Sequence, residues 1–529
     1  MKTYYLVSLI IGLFLMSSCV GYDTASGDVS NMVDGDMMED GDSMVDGDSD
    51  SAEPDENNEQ YEEIVENAFL STGTDPFSTF SIDVDTASYS NVRRFLENGQ
   101  MPDPNAVRIE EMVNYFDYEY AVPENDDPFA VYIDSADCPW KDGHQLIRIA
   151  MKGKELGQDR PPSNLVFLLD VSGSMSYGNK LPLLKVAFKM LVDQLDEQDR
   201  VAIVVYAGAS GLVLPSTSCD RKHEIIEALD GLQSGGSTAG AAGIQQAYAV
   251  AVENFLPNGN NRVILATDGD FNVGMSSDDE LTSLIEEKAE TGVFLSVYGF
   301  GMGNLNDSMM EKLSNNGNGN YGYIDSLDEA QKIFVYNILG SLFTIAKDVK
   351  IQVEFNSDKI SAYRLLGYEN RILDYYDFMD DTVDAGEIGS GHTVTALYQV
   401  VPVGNEVGYD VEEGEGTAEM RTEFDENVVA KVHLRHKEIT YEGPAADESI
   451  LNTYALQDDS HLLFDSADND FRFASMVASF GMLLRGSKYF GDSSYEMVTE
   501  KASTALGPDV LQYRAEFLSL VAMAKELQD

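Results

Sequence analysis

A chain of 529 residues has material for two to four domains with large cores. Its 34 basic residues stand against 92 acidic ones, a formal net charge of −58. That balance argues against nucleic acid and anionic membrane surfaces as partners, because phosphate binding needs clustered Lys and Arg. The three cysteines, Cys19, Cys138 and Cys219, are too few for a disulfide scaffold.

Lys2 precedes an apolar run from Tyr4 to Met16, and the small residues Ser17 and Ser18 stand just before Cys19. The run is too short for a membrane-spanning helix and reads as a secretory signal over residues 1–18. Met16-Ser17-Ser18-Cys19 resembles the bacterial lipobox, with Met16 where Leu is usual. That resemblance implies lipidation of Cys19 and a lipid-anchored protein of the cell envelope, at the outer membrane or its periplasmic face. Several acyl chains on one cysteine satisfy the requirement of more than one anchoring signal. Residues 19–60 follow as an acidic tether without Lys or Arg, expected to be disordered and self-repelling. It repeats Asp34-Gly35-Asp36, Asp40-Gly41-Asp42 and Asp46-Gly47-Asp48. No copy has the spacing of an EF-hand loop.

Residues 61–160 form a first ordered region. The alternation at Thr79–Val84 predicts a half-buried strand, and Asp85 or Thr86 is placed to cap a helix through about Asn98, ended by Gly99. A second helix is expected over about 105–116. Phe129–Ile133 and Gln145–Ala150 read as antiparallel strands, and the single tryptophan, Trp140, is expected to be buried between them. Asp83-Val84-Asp85-Thr86 resembles the D-x-D-x-T motif of haloacid-dehalogenase-like phosphotransferases, but Ala87 stands in its fifth position, so the capping reading is preferred.

Residues 161–345 alternate strand and helix, the pattern of a doubly wound, mainly parallel sheet. The opening strand, Asn164-Leu165-Val166-Phe167-Leu168-Leu169, is apolar on both faces and ends in Asp170-Val171-Ser172-Gly173-Ser174. A second buried strand, Asn261–Thr267, ends in Asp268, and the glycine-rich loop Ser234–Gly240 puts Thr238 at a helix start. Side chains at the carboxyl ends of such strands face the ligand crevice. Asp170, Ser172, Ser174, Thr238 and Asp268 there present hard oxygen donors suited to Mg²⁺. At these five residues the sequence resembles the von Willebrand factor type A domain and its metal-ion-dependent adhesion site. The resemblance implies a Rossmann-like fold and a bound divalent cation, Mg²⁺ first with Mn²⁺ and Ca²⁺ as alternatives. It also implies a coordination position left for an acidic group of a protein partner. Ser81–Tyr89, Arg108–Phe116, Tyr363–Arg371 and Asp384–Gly389 extend the likeness to bacterial lipoproteins that carry such a domain between characteristic flanking regions.

Residues 346–445 carry short alternating segments that suggest a β-sandwich, joined by the strands around Phe129–Ala150, with the central domain inserted. Residues 446–529 are expected to be helical, with Phe473, Val477, Phe480 and Leu484 on one apolar face and Phe517, Leu520, Val521 and Ala524 on another. His433 and His436, three apart on a strand, point to opposite faces and form no metal pair. Without a nucleophile elbow, an H-E-x-x-H motif or a P-loop, the reading is a cation-dependent binding protein and not an enzyme. A structural envelope scaffold, or a metal-assisted hydrolase, is the alternative. A pairing of Cys138 with Cys219 stays open.

Overall fold

The computed structural model describes residues 59–82, 85–157, 160–207, 210–236, 240–269, 278–439 and 448–528. The signal segment, Cys19, the Asp-Gly-Asp repeats and Thr238 lie outside them. No helix among the described residues is long and apolar enough to cross a membrane.

The central domain is built on six strands in the order Tyr321–Ile324, Phe294–Phe300, Asn260–Thr267, Ser163–Asp170, Arg200–Tyr206 and Ser210–Ser218. All neighbours run parallel except the last pair, which is antiparallel. The apolar run of the opening strand explains its central place. Leu165, Phe167 and Leu169 enter one core, shared with the helix Leu181–Gln194. Val166 and Leu168 enter the other, shared with the helix Gly240–Glu253. A strand loaded on both faces is stable only between two helical layers, and each buried side chain of this size contributes roughly 1.5–3 kcal/mol. From this strand the chain first builds outward to Arg200–Tyr206, then crosses back to Asn260–Thr267 on the other side. The gap between Ser163–Asp170 and Asn260–Thr267 is therefore the topological switch point, where ligands bind in open α/β sheets.

Two mainly antiparallel sheets, the first with a short parallel strand at each edge, make the sandwich. One runs Val411–Glu412, Phe69–Ser71, Ile360–Leu366, Thr393–Pro402, Gln145–Gly153, Phe129–Asp137, His461–Leu462. The other runs Ile372–Leu373, Phe77–Ser81, Thr344–Phe355, Val428–Glu438, Ile450–Gln457, with Gly386–Gly389 beside Thr344–Phe355. Ile147, Ile149 and Met151 from the first meet Ile351, Val353 and Phe355 from the second in one core. Strands before and after the central domain thus share a sheet, with Arg148 opposite Leu397. The central domain leaves this sandwich after Gly153 and re-enters it at Thr344.

The helices Ala87–Glu97 and Ile109–Asn114 pack with Asn469–Arg485, Tyr495–Ser503 and Tyr513–Gln528 around Trp140, which is fully buried. Helical segments from both ends of the chain therefore make one bundle. The helix expected over 105–116 is split into a turn at Pro104–Ala106 and a shorter helix; Arg108 between them has extended backbone and pairs its side chain with Asp307 and Glu311 of the central domain. Of the two residues expected to cap the first helix, Thr86 holds the N-cap position without a side-chain cap bond, and Asp85 serves a more distant partner. Its carboxylate accepts the backbone N–H of Tyr321 at 2.7 Å, and the N–H of Ser88 is capped from the next helix by Glu111 at 2.8 Å. The segment from Leu327 to Leu342 is likewise no single helix: an α-turn, a π-helical turn at Lys332–Tyr336 and a second α-turn follow one another. Cys138 and Cys219 are free thiols buried in different cores, so they do not pair.

Glu59 and Gln60, the last residues of the expected tether, are ordered. Gln60 exchanges backbone hydrogen bonds with Leu305 and Asp307 at 2.9 and 3.1 Å. Glu59 accepts from the N–H of Gly303 at 2.9 Å and from Arg94 at 2.7 Å.

Candidate metal centre

At the carboxyl end of the opening strand the chain must turn out of the sheet, and Asp170 organises that turn. Its Oδ1 accepts the N–H of Ser172 at 2.8 Å, and its Oδ2 accepts the hydroxyl of Thr267 at 3.2 Å, across the switch point. The Oγ atoms of Ser172 and Ser174 then stand 2.9 Å apart. Ser172 is buried and Ser174 half-buried, while Gly173 between them is exposed, so the hydroxyl pair sits just beneath the surface. The glycine-rich loop is tied to the same turn. Gly235 donates its N–H to the carbonyl of Val171 at 2.7 Å, and Gly173 donates to Gly236 at 3.1 Å. Thr238, two residues beyond Gly236, lies outside the described residues.

Asp268 follows Thr267 directly and is 1 % exposed. The next residue, Gly269, has φ +99°, and a Cβ there would collide with the backbone of Asn304 and Asn306. This is a position where only glycine lets the chain turn so close to a neighbouring loop. Asp170 and Asp268 are thus two carboxylates at the carboxyl ends of adjacent strands, both almost fully buried. Burial pushes the Asp170 carboxyl up to about 6; Ser172 and Thr267 pull against that shift, and the charge of Asp268 adds to it. A carboxyl in this state gains from a cation.

The structure brings together four of the five residues expected to hold a metal, Asp170, Ser172, Ser174 and Asp268. Among the described residues no group of three or more His, Cys, Asp or Glu could hold a metal. A site made of two carboxylates and hydroxyls is outside that class, and its all-oxygen donors fit a hard cation that keeps part of its water shell.

The sequence did not single out Lys180. Its ammonium donates to Asp268 Oδ2 at 2.9 Å and to Asn304 Oδ1 at 2.8 Å, and its side chain is 5 % exposed. One signal for it was present. Lys180 is the residue preceding the helix Leu181–Gln194, and a positive charge at a helix N-terminus is disfavoured by the helix dipole. A lysine in that place needs a carboxylate partner.

Three family models match the chain. One described as von Willebrand factor type A domain covers residues 164–335. One described as Uncharacterized protein YfbK, C-terminal, covers 340–527, and one described as von Willebrand factor covers 55–148. The chain is 40 % identical to Uncharacterized protein YfbK of Escherichia coli (strain K12) over 482 residues, which are 89 % of this chain and 82 % of that one. It is 29 % identical to inter-alpha-trypsin inhibitor heavy chain H4 of Homo sapiens over 165 residues, 29 % of this chain and 17 % of that protein. Among solved structures, a von Willebrand factor type A protein from Catenulispora acidiphila aligns over 75 % of this chain and 91 % of its own, with 15 % identity and a TM-score of 0.41.

Proposed function

Since the chain belongs to the family of Escherichia coli YfbK and carries that family's von Willebrand factor type A domain between its flanking regions, we propose that the domain is a cation-dependent binding module of the cell envelope. The observation that carries this reading is the meeting of Asp170, Ser172, Ser174 and Asp268 at the switch point of the sheet. With Thr238 from the loop opened by Gly235 and Gly236, these residues would hold Mg²⁺, with Mn²⁺ and Ca²⁺ as alternatives. When bound, the cation supplies positive charge for an acidic group of a protein partner. The residues of the chain do the positioning. Thr267 and the N–H of Ser172 hold the Asp170 carboxylate in one orientation, and the exposed turn at Gly173 gives a partner access. The module binds and does not catalyse. Cys19 is proposed to carry the lipid that keeps it at the envelope.

Calorimetry with Mg²⁺ and Mn²⁺ tests the site: the wild type should bind, and Asp170→Ala should not, at unchanged circular dichroism. Equal affinity in the two proteins removes the metal assignment. Pull-downs from envelope extracts with and without a chelator then separate a binder from a structural scaffold, since only a binder releases its partner with the metal. Partition of Cys19→Ala into the detergent phase to the same extent as the wild type would defeat the lipid anchor.

A further inference from the structure

Lys180 changes the charge arithmetic of this centre. Its ammonium lies 2.9 Å from Asp268 Oδ2 and is shared with Asn304 Oδ1 at 2.8 Å. The stem is held as well as the head. Gly301, at φ +77°, passes directly over it, and a Cβ on Gly301 would overlap the Lys180 methylenes. The side chain is therefore enclosed between the strand end that carries Asp268 and the loop from Gly301 to Asn304. The ammonium answers the buried Asp268 carboxylate and the Asn304 side-chain oxygen, and in doing so it brings a full positive charge to the rim of the centre. The charge itself is the feature to explain.

With Asp170 and Asp268 alone, a divalent cation would be neutralised by its own ligands. With the ammonium of Lys180 fixed on Asp268, one of those negative charges is already balanced. We propose that Lys180 is the specificity-determining residue of the centre: it keeps the loaded site net positive, at a cost in metal affinity, so that the open position selects an anionic oxygen ligand such as a carboxylate. The inference rests on the cation-binding reading above and adds what decides the class of partner. Two like charges a few ångströms apart in a partly dehydrated site repel by enough to change affinity about tenfold or more. Lys180 should lower metal affinity by about that factor and raise anion affinity in proportion.

The test uses Mn²⁺ as the metal and acetate as the acidic probe, on the full chain. Calorimetry on the wild type, Lys180→Met, Lys180→Gln and Lys180→Arg gives the Mn²⁺ affinity, and acetate titration into each Mn²⁺-loaded protein gives the anion affinity. Loss of the charge in Lys180→Met and Lys180→Gln should tighten Mn²⁺ about tenfold and weaken acetate by a similar factor, while Lys180→Arg stays close to the wild type. Lys180→Gln keeps a hydrogen-bond donor for Asp268 and Asn304, so it covers the case in which Lys180→Met does not fold. Mn²⁺ affinity unchanged or weakened in the neutral variants, with acetate affinity unchanged, overturns the role of Lys180. Mn²⁺ bound equally by the wild type and Asp170→Ala overturns the reading of the site itself, which keeps the two failures apart.

Discussion

Two groups of carboxylates at the central domain differ in one respect. On the side facing the rest of the molecule, Arg108 reaches Asp307 at 2.8 Å, Glu311 at 2.7 Å and Glu111 at 3.2 Å. Arg93 reaches Asp325 at 2.6 Å, Glu329 at 2.7 Å and Glu516 at 3.1 Å. Burial works against the charge of Arg108, but Asp307, Glu311 and Glu111 outweigh it and hold the guanidinium firmly protonated. Each arginine donates through several N–H groups and comes from the helical bundle, so the pairs with Asp307, Glu311, Asp325 and Glu329 bolt the central domain to the bundle, while Glu111 and Glu516 answer from within the bundle. At the switch point the acceptors are also carboxylates, but their donors include the N–H of Ser172, the hydroxyl of Thr267 and the ammonium of Lys180. There Asp170 is pushed up to about 6 by its burial, where the bolted carboxylates have guanidinium partners in hand. The same residue types do structural work where a guanidinium answers them, and at the switch point they form the setting of the proposed cation site.

The largest test of this contrast removes a bolt. Arg108→Met takes the guanidinium from Asp307, Glu311 and Glu111 at once, and the expected cost is about 3–5 kcal/mol, read as a fall in the denaturation midpoint. A loss below about 1 kcal/mol would mean that the pairs are incidental to docking. A smaller effect of opposite sign is expected at the switch point. Because the folded chain raises the Asp170 carboxyl from 3.8 to about 6, the stability linked to this group is full below about pH 3.8 and is lost as pH rises through 6. Above that pH, without metal, Asp170→Asn should therefore be more stable than the wild type by about 1–2 kcal/mol, the gap opening between pH 4 and pH 7 in thermal melts. Saturating Mg²⁺ should close it by stabilising only the wild type. Parallel melting curves across that range would remove the contrast. The smallest effect belongs to Ser174→Ala. Half-buried at the rim, Ser174 should change stability by less than about 0.5 kcal/mol, yet lower Mn²⁺ affinity in calorimetry. A Ser174→Ala protein that melts early but binds Mn²⁺ normally would place the residue among the structural groups.

Most of the central domain could be read from periodicity alone, because a strand such as Leu165–Leu169 must be apolar on both faces and that leaves a continuous run. The site residues were legible for a related reason: Asp170 and Asp268 break such runs abruptly at the strand ends. The bolts were not legible. Arg108 and Asp307 are 199 residues apart, and Arg93 and Glu516 are 423 apart. In a chain this acidic, no local pattern says which carboxylate an arginine will meet. Asp85 misled for the opposite reason. A carboxylate just before a helix satisfies the local rule for a cap, and only the fold shows that the Tyr321 N–H claims it. Lys180 fell between these cases, its partner distant but its position before a helix already unfavourable.

The ordered end at Glu59 and Gln60 has a mechanical consequence. The chain enters the described structure through the loop 303–307 and not through the sandwich. That loop contributes Asn304, which shares the Lys180 ammonium with Asp268, and its backbone packs over Gly269. Tension on the residues that precede Glu59 would be borne first by the two Gln60 backbone hydrogen bonds and the Glu59–Arg94 ion pair. Load applied to this end of the chain would reach the wall of the candidate metal centre before it reached the sandwich.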